Sequence, residues 1–130
     1  MSPAEILAQL PNGLHDAFVR ELRTDFAGAQ AWLVIDFWVG DMAAPEGAAR
    51  EARHRGTLTL AGLSSMTIEP PDLAYSFTRD GDGLWVDGDF GAYPGEPAPP
   101  EDGLVRLWFF VQTWNARMLF TARACRLEWA

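Results

Sequence analysis

Ala31-Trp32-Leu33-Val34-Ile35-Asp36-Phe37-Trp38-Val39 is the stretch that decides the fold class. Leu33, Ile35, Phe37 and Val39 alternate with Trp32, Val34, Asp36 and Trp38. That period of two fits a strand with one aliphatic face and matches no helical stripe. Immediately upstream, Ala27-Gly28-Ala29-Gln30 reads as a hairpin turn, which makes Ala17–Phe26 the expected antiparallel partner. Within that partner Phe18, Leu22 and Phe26 lie four apart, a spacing that suits a helix as well as one face of a strand, and the adjoining turn selects the strand. Downstream, Asp41–Glu51, with Pro45 and Gly47 among its alanines, is expected as a loop or a short surface turn of helix. His54–Leu63 then reads as another strand, with Leu58 and Leu60 facing opposite to Thr57 and Thr59, and Gly62 marks a bulge or a close approach.

The rest of the chain extends the same pattern. Met66 and Ile68 belong to an extended segment that stops at Pro70-Pro71, because adjacent prolines donate no ladder hydrogen bonds. Tyr75 and Phe77 predict a short strand, and Asp80-Gly81-Asp82-Gly83 a turn into Leu84-Trp85-Val86. Gly91–Gly103, with four prolines and three acidic residues, is a solvated loop. In Leu104–Trp114, Val105, Leu107, Phe109 and Val111 share one face while Trp108, Phe110 and Trp114 share the other, and Asn115-Ala116-Arg117 turns the chain. In the last strand Phe120, Ala122 and Ala124 give way to Cys125, Leu127 and Trp129 as the apolar set, and a β-bulge between Ala124 and Cys125 would restore a single face. At the other end, Ser2-Pro3-Ala4-Glu5 combines an N-cap, a proline at the first helical position and a glutamate at the third. A short helix carrying Ile6, Leu7 and Leu10 should end before Pro11-Asn12-Gly13. The expectation is one mostly β (α+β) domain over residues 1–130: an antiparallel curved sheet or partly closed barrel with one short N-terminal helix.

The composition narrows the function classes. A chain of 130 residues, 48% hydrophobic, can bury a core without disulfide or metal staples. Its one cysteine cannot form an internal disulfide, which fits a reducing cytoplasm. Met1–Leu7 lacks the basic stretch and apolar core of a signal peptide. No apolar run approaches the roughly 18 residues that span a bilayer. A cytoplasmic protein with no membrane association is expected. The net charge of −8 argues against nucleic acid, whose phosphates need a basic face. A basic protein partner remains compatible, steered by acidic loop residues such as Glu96, Glu101 and Asp102. Solubility alone accounts for the same acidity.

Residues able to do chemistry are scarce: two histidines, His15 and His54, and Cys125. Leu14-His15-Asp16-Ala17 sets one of them beside a carboxylate. The His-Asp dipeptide occurs in metal phosphohydrolases, but those sites use further histidines than this chain has. Zinc held by His15, His54 and Cys125 would need Asp16 or Asp36 at spacings that fit no ligand pattern. A Cys125–His15 nucleophilic pair could draw on Arg123 and Arg126 to lower the thiol pKa, yet a strand cysteine is ordinarily a small buried packer. Gly62-Leu63-Ser64-Ser65 lacks the second glycine of a nucleophile elbow. Asp80, Asp82, Asp87 and Asp89 among Gly81, Gly83 and Gly88 resemble a calcium loop, but Gly91 stands where an EF-hand needs its glutamate. Asp-Gly turns at either end of a short strand explain them instead. No catalytic residue, metal or cofactor is therefore assigned. His15 and Asp16 are expected chiefly as a polar clasp, Asp16 capping the turn and His15 bridging to a neighbouring segment. The alternative is a small enzyme or ligand-binding protein with a pocket around His15 and Asp16, and His54 or Tyr75 nearby.

Trp32, Trp38, Trp108 and Trp114 all fall opposite the regular aliphatic face, and indoles are seldom left in water. The N-terminal helix, the proline-rich loop, a second copy in a homodimer or a protein partner could cover them. In the last two cases they would anchor the contact. Leu14-His15-Asp16-Ala17, Ile68-Glu69-Pro70-Pro71-Asp72, Val111-Gln112-Thr113-Trp114-Asn115-Ala116-Arg117 and Ala122-Arg123-Ala124 together resemble a group of small uncharacterised bacterial proteins. The resemblance implies a β-rich fold, with Ala17–Phe26 extended, and carries no established activity. Some proteins with a comparable Leu-His-Asp beginning are regarded as immunity proteins that neutralise toxins. The function expected is thus a protein-interaction or small accessory module.

Overall fold

A computed structural model describes residues 1–74 and 83–130. Its elements are α1 (Pro3–Leu7), β1 (Ala17–Asp25), β2 (Gln30–Trp38), β3 (Arg53–Ala61), β4 (Ser65–Ile68), β5 (Leu84–Phe90), β6 (Val105–Val111), β7 (Ala116–Ala122) and β8 (Ala124–Trp129). The strands form one antiparallel sheet in the order β4-β7-β6-β5-β1-β2-β3-β8. The mostly β class and, among the described residues, the single short helix agree with the sequence. The strand expected at Tyr75 and Phe77, and the turn at residues 80–82, lie outside the described residues.

Local chemistry explains most boundaries. Ser2 caps α1, its hydroxyl accepting from the Glu5 amide at 3.1 Å, the N-cap arm of the expected capping box. The helix and the turn after it set Ile6, Leu10 and Leu14 into the core. In β2 Leu33, Ile35 and Phe37 are fully buried while Trp32, Val34, Asp36 and Trp38 are half-buried. The same alternation holds in β6.

Three sequence expectations need correction. First, β1 pairs with β2 through a bulge at Arg20: Val19 opposes Ile35, but Glu21 opposes Val34. The extra residue resets the phase, so Val19 and Leu22, three apart, both belong to the core side. Phe18 instead lies outside beneath the Arg53 guanidinium, 4.5 Å from its ring centre. Phe26 falls in the hairpin turn, 82% exposed. Phe18, Leu22 and Phe26 therefore share no face. Second, Asp87-Gly88-Asp89 is no turn: it lies inside β5, paired with Phe110, Phe109 and Trp108. Gly88 is required there because a Cβ would stand 2.6 Å from the Phe109 ring and 2.7 Å from the Trp108 carbonyl oxygen.

Third, the phase change near the last strand falls at Arg123, not between Ala124 and Cys125, and it separates two strands. β7 pairs with β6 and β4, whereas β8 pairs with β3. Strands joined by one residue thus occupy different places in the sheet. On the facing segment, Ala61 opposes Ala124 and Ser65 opposes Thr121, so Gly62–Ser64 faces Ala122 and Arg123. The Arg123 amide donates to the Ala61 carbonyl (3.0 Å) and the Ser64 amide to the Thr121 carbonyl (2.8 Å), fastening this corner. β3–β4 and β7–β8 are two bent arms of one ribbon, which forces the sheet to curve until its ends approach. The hydrogen-bonded order stays open, with β4 and β8 last in it.

Candidate functional site

Two places combine unusual geometry with exposure. One is built on Leu14-His15-Asp16-Ala17. Pairing of Ala17 with Val86 brings the end of the N-terminal turn beside β5, so that Asp87 meets His15. The His15 Nδ1 lies 2.5 Å from Asp87 Oδ1 and its Nε2 3.3 Å from Asp16 Oδ2. The other carboxylate oxygens are held from outside: Trp85 Nε1 donates to Asp16 Oδ1 (2.8 Å) and Gln112 Nε2 to Asp87 Oδ2 (2.7 Å). The Asp16 amide donates to Asp87 Oδ1 (3.2 Å), and Arg53 donates to the Asp16 carbonyl. Asp16 itself is left-handed, φ +51°, a conformation aspartate tolerates better than most residues at some cost. His15 reaches a neighbouring segment, β5, as the clasp reading expects, but the Asp16 carboxylate accepts from the Trp85 indole rather than capping the turn. The imidazole stays 59% exposed, 6.0 Å from the Trp38 ring.

Asp87, Trp85, Gln112 and Arg53 were not linked to His15 by the sequence. The available signal was the alternation of β5, which places Asp87 on the face opposite Val86, but using it requires the β1–β5 register. His54 does not join the cluster: it stacks on Trp129 at 4.4 Å. Nor does Cys125, whose buried sulfur contacts the Met1 carbonyl at 3.6 Å. Burial raises the Cys125 thiol pKa, against the activation that a nucleophile needs.

The second place is a cavity of about 500 Å³ lined by Val19, Leu22, Leu84, Ile68, Trp114 and Met118, with Arg20, Glu21 and Thr113 among its polar neighbours. It lies between β1 and the start of β5 on one side and β4 and β7 on the other. Trp114 reaches it because β6 stops at Val111; residues 112–115 turn, and the indole packs against the core instead of continuing the outer face of Trp108. Its lining includes neither His15 nor Asp16, the residues around which the sequence placed an alternative pocket.

The other three tryptophans of the candidate contact face have separate surroundings. Trp38 Nε1 donates to the Arg50 carbonyl at 2.7 Å, so the 41–52 loop covers it. Tyr93, from the proline-rich loop, meets Trp108 edge-on at 5.1 Å, and the Arg23 guanidinium lies 6.0 Å from Trp32. All four indoles are half-buried.

Charge is locally compensated in several places. Asp102 takes two hydrogen bonds from Arg106 (2.7 and 3.0 Å), which hold its carboxyl far below the usual carboxylate range. Arg117 lowers the pKa of Glu69 in the same way and lies 3.9 Å from Glu96. Two of the three loop acids expected to steer a partner therefore face arginines of their own chain.

No family model matches the chain, and no curated protein sequence does. Among solved structures, the fold is similar to a crystal structure of an uncharacterized protein from Neisseria gonorrhoeae. The two share 12% sequence identity at a TM-score of 0.52, over 88% of this chain and 91% of that one. At that identity the likeness concerns the fold alone. Among the described residues, no helix is long and apolar enough to cross a membrane.

Proposed function

We propose that this protein is a small binding module whose ligand is a neutral or cationic apolar molecule. The observation that carries the reading is the apolar cavity of about 500 Å³ between β1 and β4. Its size falls in the range of small-molecule sites, which are typically apolar concavities with a few polar groups at the rim. The net charge of −8 disfavours an anionic occupant and favours a neutral or positive one. Trp114, one of the four tryptophans proposed as contact anchors, is the one that lines this cavity. His15, Asp16 and Asp87 lie elsewhere and contact one another, which supports binding over catalysis as the role of the cavity.

Titration with the neutral fluorophore N-phenyl-1-naphthylamine tests the proposal. Saturable one-to-one binding is expected, weakened about tenfold or more in Leu22→Trp, which places an indole in the cavity. A well-folded Leu22→Trp protein that binds the dye as tightly as the wild type would refute it.

A further inference from the structure

We infer that His15, Asp16 and Asp87 form a binding site for a divalent transition-metal ion of the zinc type. Each residue offers one ligand atom, and these atoms lie within 4.8 Å of one another. A tetrahedral zinc site holds its donors about 3.4 Å apart through bonds of about 2.0–2.2 Å. At present the two carboxylates contact opposite nitrogens of the ring, Asp87 the Nδ1 at 2.5 Å and Asp16 the Nε2 at 3.3 Å, and one ion takes only one nitrogen, so the imidazole must turn to bind. The imidazole, 59% exposed, has room to turn one nitrogen toward an ion between the carboxylates.

The outer hydrogen bonds argue for more than a chance gathering of charge. Trp85 holds one oxygen of Asp16 and Gln112 one oxygen of Asp87, and in both cases the remaining oxygen faces His15. Metal sites orient their carboxylates by this kind of outer contact. Trp85 and Gln112 come from different strands or turns than the carboxylates they hold, so the arrangement depends on the β1–β5–β6 packing. One imidazole and two carboxylates suit zinc and its neighbours better than magnesium or calcium, which prefer all-oxygen shells. Three protein ligands leave a coordination position for water or a small ligand. The competing occupant of the same gap is a proton on His15, which would tie the imidazole to both carboxylates without any metal.

Calorimetric titration with Zn²⁺, and with Mg²⁺ as the contrasting ion, separates the two. Zn²⁺ is expected to bind one-to-one while Mg²⁺ does not compete. His15→Ala and Asp87→Asn should each lower Zn²⁺ affinity at least about tenfold, and Gln112→Leu, acting through Asp87, by about ten- to a hundredfold. Zn²⁺ should also shift the Trp85 indole N–H resonance in wild type and in the His54→Ala and Cys125→Ser controls. Unchanged affinity in folded His15→Ala and Asp87→Asn proteins, or loss of binding in either control alone, would overturn the site. The outcome is independent of dye binding in the apolar cavity.

Discussion

Replacing Gly88 by alanine tests the packing that brings β5 against β6. The added methyl would lie 2.6 Å from the Phe109 ring and 2.7 Å from the Trp108 carbonyl oxygen. Ordinary contact begins near 3.4 Å, so both neighbours would need to retreat by about 0.7–0.8 Å. The ring can rotate, although Phe109 is fully buried and meets Phe120 edge-on. The carbonyl belongs to a strand paired on both sides, with β5 and β7, and cannot move without disturbing two ladders. Overpacking of this kind costs about 1–3 kcal/mol, and the fixed carbonyl places Gly88→Ala near 3 kcal/mol. For a chain of this length that corresponds to a fall in Tm of roughly 10 °C, read by circular dichroism. Phe109→Leu in the same background should restore little, because it relieves the ring and leaves the carbonyl. A fall of less than about 2 °C, or substantial rescue by Phe109→Leu, would refute the assignment of the clash to the backbone.

Asp36 is held below the ordinary aspartate value of 3.8, first by its hydrogen bond with Arg55 and then by the charges of Arg55 and Arg20. The folded chain therefore binds this proton less readily than the unfolded one. The resulting stability is complete above about pH 3.8 and is lost as pH falls through the lower folded value. Urea midpoints of wild type and Asp36→Asn should differ at neutral pH and converge in acid; a gap that widens in acid would contradict the sign. Asn12 joins the N-terminal turn to the end of β2, its amide donating to the carbonyls of Trp38 (3.1 Å) and Gly40 (2.8 Å). Asn12→Ala should cost about 1–2 kcal/mol, or a fall in Tm of roughly 3–6 °C by differential scanning calorimetry. No measurable fall would mean that water satisfies those carbonyls equally well.

The regular strands were legible because burial on one face imposes a period of two, and β2 and β6 keep it without interruption. The N-cap of α1 was legible because its chemistry is local. What escaped were positions where one residue changes the phase: Arg20, which splits the β1 pattern, and Arg123, which separates β7 from β8. A phase change looks the same in sequence whether it marks a bulge or a change of pairing partner, and Gly88 looks like a turn glycine until Phe109 is seen above it. The site was half legible. His15 and Asp16 announce themselves as neighbours, but Asp87 reaches them through a register that depends on the whole sheet. The placement of Trp114 failed for a related reason, since the outward phase of β6 ends with the strand at Val111.

The corner at Arg123 also bears on the order in which this chain can assemble. β1, β2 and β3 follow one another as neighbours and can pair as soon as they exist. The outer side of β3, however, is completed by Ala124–Trp129, on the far side of every other strand in the chain. Pairings so distant in sequence close slowly. Until they close, Leu58 and Leu60 sit on a strand whose free backbone groups are a template for another chain. Conditions that delay β8 should therefore lead to association through the β3 edge before they lead to complete unfolding.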